Sequence, residues 1–137
     1  MSLIKERNQE KLFVVVALVM LVAWEVFVKF FASIPILHLI VTFQLDKFFH
    51  VIGGAFLAGV FLLLSRNLQL LQTLLLVLVF AVFFEVLEFL FDGEVIDFFY
   101  NRPDLWVGDL VGDIIAGLAG AVLYWKATLG RKKVTQA

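Results

Sequence analysis

Four long apolar runs constrain the fold of this chain more than any other feature of its sequence. They cover residues 11–33, 46–64, 68–91 and 106–125. A helix of about 20 residues crosses the ~30 Å hydrocarbon core of a bilayer, so each run is long enough to do so. At 63% hydrophobic residues, the chain also has more apolar surface than a soluble domain of this size can bury. We therefore predict an all-α, polytopic membrane protein, in which residues 1–137 form a single domain with a bundle of four transmembrane helices.

The first run follows a polar segment, so a cleaved signal peptide is the alternative to a retained helix. The apolar core of a signal peptide is usually ~7–15 residues long, which is shorter than this run. We expect a retained first helix that ends before Pro35, because proline lacks a backbone N–H and disfavours helical geometry in the preceding residue. The apolar connection 36–45, which contains His38, is too short to cross the membrane and is expected at its surface.

The lysines and arginines predict the orientation of the helices. Eight of the eleven lie at the termini or between the second and third runs, and only Lys29, Lys47 and Arg102 lie on the other side. By the positive-inside rule, both termini face the cytoplasm of a multi-pass protein in the cell membrane. The acidic residues divide the opposite way, since ten of the twelve, including Glu25 inside the first run, fall in the external half. We expect an acidic external face.

Four carboxylates occupy the facing ends of the third and fourth runs. Glu85 and Glu88 are three residues apart, and Asp109 and Asp113 are four apart, so each pair shares one face of its helix. Because a helix rises about 1.5 Å per residue, these side chains and His50 reach similar depths below the external surface. A charged side chain that faces lipid near the middle of the bilayer costs at least ~2.5 kcal/mol. We therefore predict that all five side chains point into the bundle and form one polar site.

Three arrangements could satisfy these carboxylates. They could be protonated, they could pair with Lys29, Lys47 or Arg102, or they could hold a metal ion. Carboxylates with one histidine suit a divalent cation such as Mg²⁺, Mn²⁺, Ca²⁺ or Zn²⁺, whereas the absence of cysteine excludes a thiolate site. The candidate metal ligands, which are also the candidate catalytic residues, are His50, Glu85, Glu88, Asp109 and Asp113. The candidate residues for holding an anionic substrate group are Lys47 and Arg102.

Small residues recur every four positions on two of the predicted helices. Such spacing allows helix backbones to approach closely, either within one bundle or between two copies of a chain. Both readings stay open, so a homo-oligomer formed through these faces is an alternative to close packing inside the bundle. The residues are Gly108, Gly112, Ala116 and Gly120 on the fourth run, and Ala55 and Gly59 on the second.

Several of these residues form short motifs that resemble those of the VanZ-like family of small bacterial membrane proteins. Asp46-Lys47-x-x-His50 matches the family's Asp-Lys-x-x-His, and Arg102 matches its loop arginine. Glu85-x-x-Glu88 and Asp109-x-x-x-Asp113 resemble its Glu-x-x-Gln and Asp-x-x-x-Asn, with Gly117 and Gly120 as its trailing glycines. The resemblance covers residues 46–124 and implies a role in the cell envelope. Because acids replace the family's amides at Glu88 and Asp113, a site in this chain would be more acidic and would favour a cation.

These observations lead to one main expectation and two alternatives. The main expectation is a divalent-cation site that binds, or acts on, a membrane lipid or a lipid-linked phosphate, with the metal polarising a phosphoryl oxygen or activating water. A proton- or cation-coupled transporter is the first alternative, because carboxylates inside membrane helices also relay charge. The second is a protein without enzymatic activity, in which the polar cluster fixes the helices in register. The net charge of −1 gives no reason to expect binding to nucleic acid.

Overall fold

The computed structural model describes residues 2–31, 36, 44–91, 96, 100 and 102–134. These residues form four long helices and no strand. The helices are α1 (Ser2–Phe31), α2 (Leu45–Leu64), α3 (Leu70–Phe91) and α4 (Pro103–Val134).

Each helix contains a stretch that is long and apolar enough to cross a membrane. The stretches are Arg7–Phe30, Leu45–Leu64, Leu70–Phe91 and Pro103–Thr128. They confirm the prediction of an all-α protein with four helices able to span a membrane. All four agree with the predicted runs to within about four residues at each end. The predicted surface connection at 36–45, including His38, falls almost wholly outside the described residues.

The helix ends follow from local chemistry. Gln44, just before α2, adopts a left-handed conformation with a φ of 50°, which breaks the helical path on the N-terminal side. At the start of α3, the side-chain oxygen of Gln72 accepts a hydrogen bond from the backbone N–H of Gln69 at 3.0 Å. Helix α4 begins at Pro103. Proline has no backbone N–H, and this costs nothing at the first helical position because an N–H there would have no carbonyl acceptor within the helix.

Helix α2 lies at the centre of the structure and packs against α1, α3 and α4. Its most extensive contact is with α4, and this contact depends on glycine. A Cβ atom added to Gly54 would overlap the backbone carbonyl of Gly117, and one added to Gly120 would overlap the carbonyl of Val51. Small residues therefore bring two backbones together within one bundle, as membrane helices require. Whether the Gly and Ala faces also support a homo-oligomer stays a prediction.

Helix α1 packs along one side of α2 and exposes most of its surface. Trp24 stacks on Phe49 of α2, with ring centroids 3.8 Å apart, and Phe13 stacks on Tyr124 of α4 at 4.7 Å. Among the described side chains of α1, only Ala17 is buried. In a membrane, the outward face of α1 would contact lipid.

The contacts between helices give the bundle two distinct ends. The end at which α1 and α3 finish and α2 and α4 begin is called the site end below. At the opposite end, Arg66, after α2, forms a salt bridge with Glu10 of α1 at 3.0 Å. Between the two ends lies an apolar core of Ala58, Val77 and Ala121, which are fully buried. Buried Thr73 lies in the first turn of α3, and its hydroxyl donates to the backbone carbonyl of Gln69 at 3.1 Å, which satisfies it locally.

Candidate polar site

Three helices deliver ionisable side chains to the site end of the bundle. They meet there because α2 and α4 begin at this end and run parallel, while α3 finishes there. Helix α2 contributes two residues from its first turn and one from the next, α3 contributes one, and α4 contributes two. We call these residues the polar cluster: Asp46, Lys47, His50, Glu85, Asp109 and Asp113.

The ammonium group of Lys47 joins α2 to α4. Its Nζ atom donates to Oδ1 of Asp109 at 2.5 Å and to Oδ1 of Asp113 at 2.7 Å. Oδ2 of Asp46 lies 3.3 Å from the same nitrogen. One cation thus faces three carboxylates, which leaves two formal negative charges when all three are ionised. Of the three pairing partners considered from the sequence, Lys47 is the one that contacts Asp109 and Asp113.

The ring of His50 lies between two carboxylates from different helices. Its Nδ1 atom is 3.8 Å from Oε1 of Glu85 on α3, and its Nε2 atom is 3.5 Å from Oδ1 of Asp113 on α4. Both distances are longer than an ordinary N–H···O hydrogen bond. The two carboxylates are among the most buried polar groups in the described structure, with Glu85 8% and Asp113 5% exposed. The imidazole therefore lies within reach of two buried acids and forms a short bond to neither.

Two groups of residues could hold a metal ion. One consists of His50, Glu85 and Asp113, and the other of Asp46, Asp109 and Asp113; within each, one ligand atom from every residue lies within 4.8 Å of the others. The second group already surrounds the ammonium of Lys47. We call the first group the cation site, because its ligands could converge on an ion without displacing Lys47 from Asp46 and Asp109.

The chemistry of the donors in the cation site suits a divalent ion. Imidazole nitrogen with carboxylate oxygen is a ligand set used for Zn²⁺ and Mn²⁺. A histidine that ligates a metal usually directs its other ring nitrogen at a carboxylate or carbonyl, which fixes the orientation of the ring. His50 has a carboxylate on each side, so either nitrogen could ligate while the other remains near an acid.

Other predicted site residues occupy different positions. Glu88 is half-buried on α3, one turn closer to the site end than Glu85, and belongs to neither metal-capable group. Arg102 is exposed just before α4, where its backbone carbonyl accepts a hydrogen bond from Trp106 at 3.3 Å. Glu25 lies within two turns of the site end of α1, but it is exposed and lies outside the polar cluster.

Asp46 was not predicted from its position to belong to the cluster. Its Oδ1 atom is buried and forms no hydrogen bond with any described residue. The available signal was its place directly before Lys47 in the first turn of a membrane helix, where an acid is expensive unless it serves a partner. Asp104 is exposed in the first turn of α4, and the acids Asp92, Glu94 and Asp97 lie outside the described residues.

Two aromatic pairs lie in the half of the bundle that contains the polar cluster. Phe89 of α3 packs on Trp106 of α4 with ring centroids 4.8 Å apart, close to the ends of both helices. On the other side of α2, Trp24 stacks on Phe49.

Comparison with protein-family models, curated proteins and solved structures finds no match to this chain. The resemblance to the VanZ-like family therefore rests on the motif residues alone, and the chemistry of the polar cluster is the basis for any functional assignment.

Proposed function

We propose that this protein is a multi-pass protein of the cell membrane that binds a divalent cation at His50, Glu85 and Asp113, and through it a lipid phosphate or lipid-linked phosphate. One observation carries the proposal. Three helices bring an imidazole and two buried carboxylates within 4.8 Å of one another inside an apolar bundle.

The burial of the two acids is the physical reason for a cation. Removing a carboxylate from water is costly unless a counter-charge or hydrogen-bond donors replace the lost hydration. Asp113 has Lys47 at 2.7 Å, whereas the His50 ring is 3.8 Å from Glu85 and no described residue donates a hydrogen bond to the Glu85 carboxylate. A divalent ion between Glu85, Asp113 and His50 would supply the missing positive charge.

The phosphate part of the proposal rests on the position of the site. The polar cluster lies near the helix ends, where lipid head groups would be found, and exposed Arg102 lies at the same end. Arginine binds phosphate through its planar, two-pronged guanidinium group, and a divalent cation bridges carboxylate and phosphate oxygens. In this arrangement the metal would polarise a phosphoryl oxygen, and Arg102 would hold the head group.

The apolar core favours binding at one end over transport across the bundle. Beyond the polar cluster, the fully buried side chains of the described residues are Ala58, Val77, Ala121 and Thr73, and the Thr73 hydroxyl is bonded to the backbone. A proton- or cation-coupled transporter would need polar groups that continue to the opposite end.

A structural role has one specific observation in its favour. Lys47 links α2 to both Asp109 and Asp113 of α4, and such a network fixes helix register without binding any ligand. In that case a metal would be unnecessary, and chelation would leave the protein unchanged.

The test is a titration of the purified protein in detergent with Mn²⁺, followed by electron paramagnetic resonance. We expect one bound Mn²⁺ per chain, and at least a tenfold weaker affinity in Glu85→Gln and Asp113→Asn, since each removes an anionic ligand. Asp104→Asn is the matched control, because Asp104 is an exposed acid on α4. An affinity that is equal in all three variants, or no binding by the wild-type protein, would overturn the proposed function.

A second titration addresses the phosphate. Short-chain phosphatidic acid is added with and without Mn²⁺, and binding is expected to be tighter with the metal. Arg102→Gln should weaken binding of the lipid without changing the affinity for Mn²⁺. Lys126→Gln, an exposed cation in the opposite half of α4, should leave both unchanged.

A further inference from the structure

One oxygen atom connects the cation site to Lys47. Oδ1 of Asp113 lies 2.7 Å from Nζ of Lys47 and 3.5 Å from Nε2 of His50. A hydrogen bond to Lys47 and a bond to a metal ion would therefore draw on the same carboxylate. An ion held by that oxygen, at the ~2.0–2.2 Å typical of metal–oxygen bonds, would lie within about 5 Å of the ammonium.

Two positive charges at that separation repel each other more strongly in a partly buried site than they would in water. The ammonium also draws negative charge from Asp46 and Asp109, whose carboxylates would otherwise add to the attraction for an ion. Lys47 thus weakens cation binding, whereas the carboxylates strengthen it. It competes for a ligand and repels the incoming ion.

Gly112 provides the space that holds Lys47 in this position. A Cβ atom on Gly112 would lie 2.8 Å from Cε and 3.3 Å from Nζ of Lys47. These atoms form the far end of a flexible side chain, so an added methyl group would displace the ammonium and leave the helices in place. One turn earlier on the same helix, a Cβ on Gly108 would have no heavy atom within 4 Å.

We propose that Lys47 is a tethered competitor that sets the cation affinity of the His50–Glu85–Asp113 site through Asp113, and that Gly112 keeps its ammonium in the competing position. The inference rests on the proposed function, because it concerns the same site. The residues of the cation site provide its affinity for the ion, and Lys47 limits that affinity.

The experiment measures Mn²⁺ affinity by electron paramagnetic resonance in the full chain and three variants. Lys47→Met removes the competing charge and is expected to bind Mn²⁺ at least ~10-fold more tightly than the wild-type protein. Gly112→Ala retains every charge and should bind more tightly by a smaller factor. Gly108→Ala is the matched control, with the same substitution on the same helix, and should bind like the wild-type protein.

Gly112→Ala decides the outcome, since it does not depend on how well Lys47→Met folds. The proposal is overturned if Gly112→Ala binds Mn²⁺ with the affinity of Gly108→Ala, and equally if no variant binds the ion. If Gly112→Ala binds Mn²⁺ and the wild-type protein does not, the proposed function fails while the competition by Lys47 is supported. Tighter binding by Gly112→Ala than by a wild-type protein that also binds supports both.

Discussion

Gly54 of α2 lies directly against the backbone carbonyl of Gly117 of α4, with no room for a side chain between them. The obstacle is backbone and cannot rotate away, so Gly54→Ala must push the two helices apart. We expect a loss of stability at the upper end of the ~1–3 kcal/mol that is typical of overpacking. Thermal unfolding in detergent, followed by circular dichroism, measures it. Gly108→Ala should be at least as stable as the wild-type protein, because a Cβ there meets no atom within 4 Å and alanine favours a helix more than glycine does. A Gly54→Ala variant with unchanged stability would contradict the close contact.

The contact between Gly54 and Gly117 also positions the polar cluster. His50 and Lys47 lie on α2 within two turns of Gly54, and both face groups on α4. Separating the helices at Gly54 should therefore weaken Mn²⁺ binding as well as stability. The three glycines that approach the partner backbone or Lys47 most closely, namely Gly54, Gly112 and Gly120, tie helix packing to the polar cluster.

Removal of Lys47 is expected to destabilise the protein even though it frees the cation site. In Lys47→Met, Asp113 loses its 2.7 Å partner while remaining 5% exposed. Breaking a buried pair by removing one partner typically costs about 3–5 kcal/mol, because the other charge is left buried. Thermal unfolding without added metal should show this loss. Adding Asp109→Asn and Asp113→Asn to Lys47→Met should restore much of the stability, and failure to do so would argue against the network.

Helix α1 should be the most easily detached element, because Ala17 is the only one of its described side chains that is buried. Trp24→Ala removes the ring that stacks on Phe49 at 3.8 Å, and aromatic pairs contribute about 0.5–1.5 kcal/mol beyond their buried area. We expect a lower unfolding temperature and faster proteolysis of α1 in detergent. Phe30→Ala, at a side chain that is 77% exposed on the same helix, provides the control and should change neither.

The transmembrane helices could be predicted from the sequence because lipid imposes a simple rule of length and polarity on each run. The convergence of His50, Glu85 and Asp113 also follows from depth and helical face. The basic residue that pairs with the acids could not be identified from the sequence. Lys29, Lys47 and Arg102 were all predicted at the same end, and only tertiary contacts distinguish them. Glu25 shows that a similar depth in the membrane is not sufficient to place a residue in the polar cluster. It lies at a similar depth, but α1 turns it outward.

The contacts between the helices do not determine which end of the bundle faces the cytoplasm. The chain contains no cysteine, so single introduced cysteines can test this orientation. Single variants Ser65→Cys and Asp104→Cys place a thiol at opposite ends of the bundle, both at exposed positions. By the positive-inside rule, a membrane-impermeant maleimide added to intact cells should label Asp104→Cys and not Ser65→Cys. Labelling of both after permeabilisation is the control. The reverse pattern would place the polar cluster on the cytoplasmic side.

Chelation gives a direct measure of whether a metal stabilises the fold. A ligand that binds only the folded state stabilises it by about 2.7 kcal/mol at a hundred times its dissociation constant. Protein purified with Mn²⁺ should therefore unfold at a lower temperature after treatment with EDTA, and adding Mn²⁺ back should restore the original value. Glu85→Gln should respond less to both treatments because it binds Mn²⁺ more weakly, whereas Asp104→Asn should respond like the wild-type protein. If EDTA leaves the wild-type unfolding temperature unchanged, the hydrogen bonds of Lys47 to Asp109 and Asp113 are enough to hold the site end together, and the structural role of the cluster is the one that remains.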